Sequence, residues 1–169
     1  MDDESLSPLE ETRPPSDEDL AKLAAKLNEL GAKYIVVGGF AVITAGFARS
    51  TMDIDLLVDC SAENDAKVRK ALEILPDQAV LELGPGEIEQ YVVVRVCDEF
   101  TVDLMAKACG MNYADAEGLI EFRDYHGVRI PFASPSLLWK TKQTYRDKDA
   151  VDRSFLRKLL EERGEWPVE

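Results

Sequence analysis

Two aspartates interrupt the apolar run DIDLLV (residues 53–58), and this feature restricts the fold of the chain more than any other. The run predicts a β-strand in which Asp53 and Asp55 point to one face while Ile54 and Leu56 point to the other face, into a core. Two like charges side by side on a buried strand are unfavourable unless a cation neutralises them. Because no histidine or cysteine lies nearby, oxygen ligands favour a hard divalent ion, Mg²⁺ or Mn²⁺.

A third aspartate breaks the apolar pattern of a second predicted strand, FTVDLM (residues 100–105). Asp103 lies on the face opposite to the alternating apolar residues of this run. If this strand lies beside the strand of Asp53, three carboxylates converge. Three carboxylates can hold two divalent ions in the arrangement that assists phosphoryl transfer.

A glycine pair, Gly38-Gly39, follows the apolar strand YIVV (residues 34–37) and precedes the short apolar segment FAVITA (residues 40–45). Glycines let a backbone approach a phosphate closely, with N–H groups and the positive end of a helix directed toward it. The segment lacks the G-x-G-x-x-G pattern of dinucleotide-binding folds and the G-x-x-x-x-G-K-[ST] pattern of a P-loop. The pair therefore predicts a phosphate contact that belongs to neither of these two motifs.

The periodicity of apolar residues predicts an α/β (α+β) fold, a mixed β-sheet flanked by helices. Predicted helices cover residues 20–30, 40–45, 63–75, 112–117, 134–145 and 149–163, and predicted strands cover residues 34–37, 53–58, 91–96 and 100–105. Residues 122–132 predict a further hairpin that turns at His126-Gly127. This hairpin could belong to the sheet or form a separate flap.

The charge distribution separates an acidic tail from the rest of the chain. The 169 residues carry a net charge of −13, and residues 1–19 contain eight acidic residues and one arginine. We expect residues 1–15 to form a disordered acidic tail and residues 16–169 to form a single domain. The acidic balance argues against broad nucleic-acid binding, but residues 140–158 contain seven lysines and arginines against three aspartates and could form a local basic patch.

The cysteine and histidine content limits the class of protein further. Three cysteines without C-x-x-C spacing and a single histidine argue against a disulfide scaffold or a structural zinc site, and they fit a reducing cytoplasm. No apolar run approaches the roughly 18 residues needed to span a bilayer. We therefore expect a cytoplasmic protein that has no membrane partner.

Together, Gly38-Gly39, the loop FARST (residues 47–51), the Asp53-x-Asp55 pair and Asp103 resemble the nucleotidyltransferase superfamily that shares the DNA polymerase β-like fold. The segment LLWKTKQTYRDKDAVD also looks like the closing Lys…Arg-x-Lys-Asp-x-x-Asp motif of small AbiEii-type nucleotidyltransferases. These include toxin components of toxin–antitoxin systems. The resemblance covers about residues 20–162 and implies a mixed sheet followed by C-terminal closing helices.

The resemblance also implies roles for individual residues. Asp53, Asp55 and Asp103 would be catalytic and would bind Mg²⁺ or Mn²⁺, and Asp103 would help to deprotonate the acceptor hydroxyl. The residues that would contact the triphosphate of ATP or another NTP lie beside the glycine pair or on a closing helix: Gly38, Gly39, Arg49, Ser50, Thr51, Lys142 (or Lys140) and Arg146. A spacing of four residues would place Lys142 and Arg146 on one helix face.

The implied reaction transfers a nucleoside monophosphate from an NTP to an acceptor and releases pyrophosphate. Catalysis would rest mainly on positioning and charge neutralisation. Three classes stay open on the sequence: a toxin-like enzyme that modifies RNA or a protein and has a cognate antitoxin, a small-molecule enzyme of the antibiotic-modifying type, and a non-catalytic nucleotide-binding or antitoxin-like module.

Overall fold

The central strands of the fold are the two apolar segments that flank the glycine pair. The structure, a computed structural model, describes residues 12–169, and eight strands lie in this range. They are β1 (Tyr34–Val37), β2 (Asp53–Val58), β3 (Val93–Cys97), β4 (Thr101–Met105), β5 (Lys107–Ala108), β6 (Met111–Asn112), β7 (Ile120–Tyr125) and β8 (Val128–Ala133). All four residues of β1 are buried, so both faces of the sheet must be covered at its centre.

Six of these strands form one mixed sheet in the order β3-β4-β2-β1-β8-β7. β1 and β2 are antiparallel, whereas β2 and β4 are parallel, as are β1 and β8. β3 and β7 are the two edge strands, each antiparallel to its neighbour. The hairpin of β7 and β8 therefore belongs to the main sheet, and β5 and β6 form a small sheet of their own.

Seven α-helices lie within the described residues. They are α1 (Asp17–Glu29), α2 (Gly38–Thr44), α3 (Ala62–Ala71), α4 (Glu87–Tyr91), α5 (Tyr113–Ala116), α6 (Pro135–Thr141) and α7 (Asp147–Glu162). The prediction of an α/β fold with a mixed sheet and closing helices is confirmed. No helix within residues 12–169 combines the length and the apolar character needed to cross a membrane.

The start of α1 illustrates how local sequence determines an element. The Ser16 hydroxyl accepts a hydrogen bond from the Asp19 N–H, and the Asp19 carboxylate accepts one from the Ser16 N–H at 2.7 Å, which together form a capping box. Residues 1–11 of the predicted acidic tail lie outside the described residues. Just before the helix, the backbone N–H of Arg13 donates to the Glu99 carbonyl at 3.1 Å, and the Arg13 guanidinium pairs with Asp19 and Glu99.

The first hairpin begins later than the sequence predicts. Tyr91 ends α4 and Val92 adopts a positive φ of 69°, so β3 starts only at Val93. Ile88 of α4 is fully buried, whereas the side chains of Tyr91 and Val92 remain exposed. Burial of one apolar side chain in a helical turn thus outweighs the local β-propensity of the run YVV.

The closing segment forms two helices with a break that corrects one prediction. Lys142 is the C-terminal cap of α6 and Arg146 is the N-terminal cap of α7, so the prediction that they share one helix face is wrong. The break is stabilised from α7. Arg153 donates to the carbonyls of Lys142 at 2.6 Å and Thr144 at 2.9 Å, both of which lie between the two helices.

We expect the docking of α7 to depend on its buried face. Leu156 is fully buried, so Leu156→Ala should lower the free energy of unfolding by about 2–5 kcal/mol. Val151 on the same helix is exposed, and Val151→Ala should change the free energy of unfolding by less than about 0.5 kcal/mol. Urea unfolding followed by circular dichroism measures both values, and equal effects would contradict this packing of α7.

Candidate active site

Three aspartates converge on one side of the sheet because β2 and β4 are adjacent and parallel. Asp55 lies directly opposite Asp103 in the register of these strands. Asp53 is two residues earlier on β2 and therefore lies on the same face. One carboxylate oxygen from each of Asp53, Asp55 and Asp103 lies within 4.8 Å of those of the other two. The three side chains are close enough to share a metal ion.

The electrostatics of this cluster fit a cation site. Burial and the negative charges of Asp53 and Asp103 raise the pKa of Asp55 well above its usual range, and the positive charge of Lys142 partly offsets this effect. Carboxylates this close together repel one another and lower the stability of the fold, and such clusters are typical of functional sites. The donor set consists only of carboxylate oxygens, which suits Mg²⁺ or Mn²⁺.

The glycine pair leaves space for side chains of the site. A Cβ atom on Gly38 would collide with the carboxylate of Asp55, and Gly38 also has a φ of +68°, which disfavours other residues. A Cβ atom on Gly39 would collide with the side chain of Thr51. The pair therefore allows the start of α2 to pack directly against Asp55 and Thr51, and its predicted contact with phosphate stays a prediction.

The loop before β2 is fixed at both ends. Arg49 donates from Nε and Nη2 to the two carboxylate oxygens of Asp152, each at 2.9 Å, and from Nη1 to the Ser50 carbonyl at 2.6 Å. The Thr51 hydroxyl donates to the Asp53 carbonyl at 3.2 Å, while Ser50 is exposed. The loop is thus connected to α7 on one side and to β2 on the other.

Lys142 lies buried between two acidic residues of α7. Its Nζ is 3.4 Å from Oδ1 of Asp149 and 3.1 Å from Oδ2 of Asp152. Burial tends to raise the pKa of Asp149, but hydrogen bonds from Thr144 and Arg146, with the charge of Lys142, outweigh it and lower this pKa. Lys142, Asp152 and Arg49 therefore form one ion-pair network beside the carboxylates.

The other two basic residues predicted to contact the triphosphate, Arg146 and Lys140, are less buried than Lys142. Arg146 donates from Nε to Asp149 at 3.0 Å, but its side chain is 61% exposed and its contacts do not include the three carboxylates. Lys140 lies in the last turn of α6 and is half-buried. Of the basic residues proposed on the closing segment, Lys142 is the one whose charge acts on Asp55.

Sequence reasoning missed Arg95, which is in direct contact with the cluster. Arg95 lies opposite Asp103 in the antiparallel pairing of β3 and β4, and it donates to both carboxylate oxygens of Asp103 at 2.9 Å. The available signal was one basic residue within the apolar run YVVVRV, which marks Arg95 but does not reveal its partner.

The chain is similar in structure to known proteins. No protein-family model and no curated protein matches the chain. The lincosamide antibiotic adenylyltransferase LnuA, crystallised with lincomycin, superimposes with a TM-score of 0.53 and 14% identity over 87% of this chain and 99% of its own. The chain has the nucleotidyltransferase fold.

Two further structures share this fold. The Thermotoga maritima protein TM1012, provisionally assigned as a nucleotidyltransferase, has a TM-score of 0.50 and 19% identity over 86% of this chain and 92% of its own. An antigenic nucleotidyltransferase-like protein of Paracoccidioides brasiliensis has a TM-score of 0.50 and 17% identity over 88% of this chain and 78% of its own. The predicted nucleotidyltransferase fold is confirmed, whereas the AbiEii subtype and the roles of individual residues stay predictions.

The close contact of Gly38 with Asp55 predicts an effect beyond backbone strain. Gly127 also has a positive φ (+83°) but has open space around it, so Gly127→Ala should cost about 1–2 kcal/mol of stability. Gly38→Ala should cost about 1–3 kcal/mol more, because its Cβ also overlaps the carboxylate. Chemical denaturation of both variants measures the difference, and equal losses would contradict the packing at Gly38.

Proposed function

We propose that this protein is a metal-dependent nucleotidyltransferase that moves a nucleoside monophosphate from an NTP to an acceptor hydroxyl and releases pyrophosphate. The observation that carries this proposal is the convergence of Asp53, Asp55 and Asp103 within 4.8 Å of one another in a nucleotidyltransferase fold. Three intact carboxylates favour a catalytic role over that of a nucleotide-binding or antitoxin-like module, because a binding module has no need for such mutual repulsion.

Each group of residues has a distinct task in this proposal. Asp53, Asp55 and Asp103 hold Mg²⁺ or Mn²⁺, and Asp103 also accepts the proton of the acceptor hydroxyl at a carboxylate oxygen. The bound ion supplies charge neutralisation for the triphosphate and for the departing pyrophosphate. These tasks require both the metal-binding face of β2 and the neighbouring strand β4.

Arg49 and Lys142 are the proposed contacts to the triphosphate. Both are anchored by Asp152, which is completely buried, so their positions are fixed before a nucleotide arrives. Such preorganisation reduces the entropy that binding must overcome. We propose the backbone of Gly38 and Gly39 and the side chains of Ser50 and Thr51 as further contacts, whereas the exposed Arg146 is the weakest candidate.

For the acceptor, we propose a small hydroxylated molecule. Of the seven basic residues in the segment 140–158, which would have to form a nucleic-acid surface, four have partners within the protein. Lys142 and Arg146 pair with Asp149, Arg153 donates to backbone carbonyls, and Arg157 pairs with Glu161 and lies over the ring of Trp166. The similarity to LnuA, an antibiotic adenylyltransferase, points in the same direction.

The toxin-like alternative makes a different prediction. An RNA or protein acceptor, a cognate antitoxin and a cytoplasmic location stay predictions of the sequence resemblance. Incubation with α-labelled NTP and either bulk RNA or a panel of hydroxylated small molecules separates the two acceptors. Label on RNA would favour the toxin-like enzyme, and label on a small molecule would support our proposal.

The metal requirement is tested most simply by nucleotide binding. We expect calorimetry to show NTP binding with Mg²⁺ but not with EDTA, and Asp55→Asn to weaken this binding at least about tenfold, a loss of roughly 1.4 kcal/mol. Asp59→Asn is the matched control, because Asp59 directly follows β2 and its carboxylate accepts from the Ser61 N–H, away from the cluster.

Asp59→Asn should leave NTP affinity unchanged. Binding that persists in EDTA, or that is equal in Asp55→Asn and wild type, would contradict a metal site at this cluster. If no NTP binds under any metal condition, the non-catalytic module becomes the better explanation of the fold.

A further inference from the structure

Arg95 engages two of the three carboxylates that the proposed metal site requires. Its Nε donates to Oδ1 of Asp103 and its Nη2 to Oδ2 of Asp103, each at 2.9 Å. The same Nη2 lies 3.3 Å from Oδ2 of Asp53. One guanidinium thus occupies both oxygens of Asp103 and one oxygen of Asp53. A two-pronged contact of this kind is the strongest form of arginine–carboxylate pairing.

A divalent ion and this guanidinium compete for the same negative charge. An ion bound by Asp53 and Asp103 would lie close to a positive charge that is itself about 3 Å from the ligand oxygens. Like charges at such separations repel appreciably even in water. An ion at these carboxylates would therefore bind weakly while Arg95 is in place, and more tightly once the guanidinium has left.

The position of Arg95 allows it to leave. It lies on β3, an edge strand of the sheet, and its side chain is 46% exposed. The guanidinium can therefore leave the carboxylates and be hydrated by solvent, so its release does not leave an unpaired charge buried. Lys142 differs, because its side chain is only 6% exposed and is held by both Asp149 and Asp152. Of these two cations beside the cluster, one is fixed and one is displaceable.

We propose that Arg95 is a displaceable counter-ion of the carboxylate cluster. It pairs with Asp103 and Asp53 in the metal-free protein and is replaced by the divalent ion. Arg95 thereby sets the metal concentration at which the site fills. This inference rests on the proposed function, since it assumes that the cluster is a metal site.

The test is direct titration of the nucleotide-free protein with Mn²⁺. Calorimetry measures the binding, and electron paramagnetic resonance measures the unbound Mn²⁺. Arg95→Gln removes the charge at an exposed position, and we expect it to bind Mn²⁺ at least about tenfold more tightly than wild type. Arg95→Lys keeps the charge but not the two-pronged contact, and its affinity should fall between the two.

Arg123→Gln is the matched control. Arg123 lies on β7, the opposite edge strand, and pairs with Glu121 at 3.1 Å, so its loss should leave Mn²⁺ affinity unchanged. A purely structural role of Arg95 would make Arg95→Gln bind Mn²⁺ less tightly, because the carboxylates would lose their arrangement. Thermal melts of each variant without metal confirm that it folds.

The outcomes separate this inference from the proposed function. Tighter binding in Arg95→Gln than in wild type, with Arg123→Gln unchanged, supports the displacement of Arg95. Equal or weaker binding in Arg95→Gln, with wild type binding Mn²⁺, overturns the inference and leaves the metal site intact. If neither wild type nor Arg95→Gln binds Mn²⁺ at millimolar concentration, the metal site itself is wrong, and the inference is wrong with it.

Discussion

Repulsion among three carboxylates on adjacent strands is the constraint on which the rest of this site depends. The parallel pairing of β2 and β4 brings Asp55 opposite Asp103, and period-two alternation adds Asp53 on the same face. The surrounding residues accommodate this charge. Gly38 leaves space for the Asp55 carboxylate, Arg95 pairs with Asp103, and the positive charge of Lys142 acts on Asp55.

The closing helices serve the site as well as the core. Asp152 is completely buried, yet it accepts two hydrogen bonds from Arg49 and lies 3.1 Å from Lys142. Removing one member of a buried ion pair leaves the other without compensation, so the network holds α7 and the loop before β2 in a fixed relation. The fold thereby links the end of the chain to the strand that carries Asp53 and Asp55.

Local patterns predicted much of this structure, and non-local contacts account for what they did not predict. The charges within DIDLLV and FTVDLM identified the carboxylates because alternation along a strand is a property of a few neighbouring residues. The break between α6 and α7 depends on Arg153 reaching back to the carbonyls of Lys142 and Thr144, which no helical period reveals. Arg95 was missed because its partner is determined by strand register.

The most direct test of this account is anomalous diffraction from a crystal of the protein soaked in Mn²⁺, recorded at the manganese absorption edge. The account predicts an anomalous peak bounded by carboxylate oxygens of Asp53, Asp55 and Asp103, with the Arg95 guanidinium turned away from Asp103. An ordered, empty cluster with Arg95 still bound to Asp103 at saturating Mn²⁺ would contradict it.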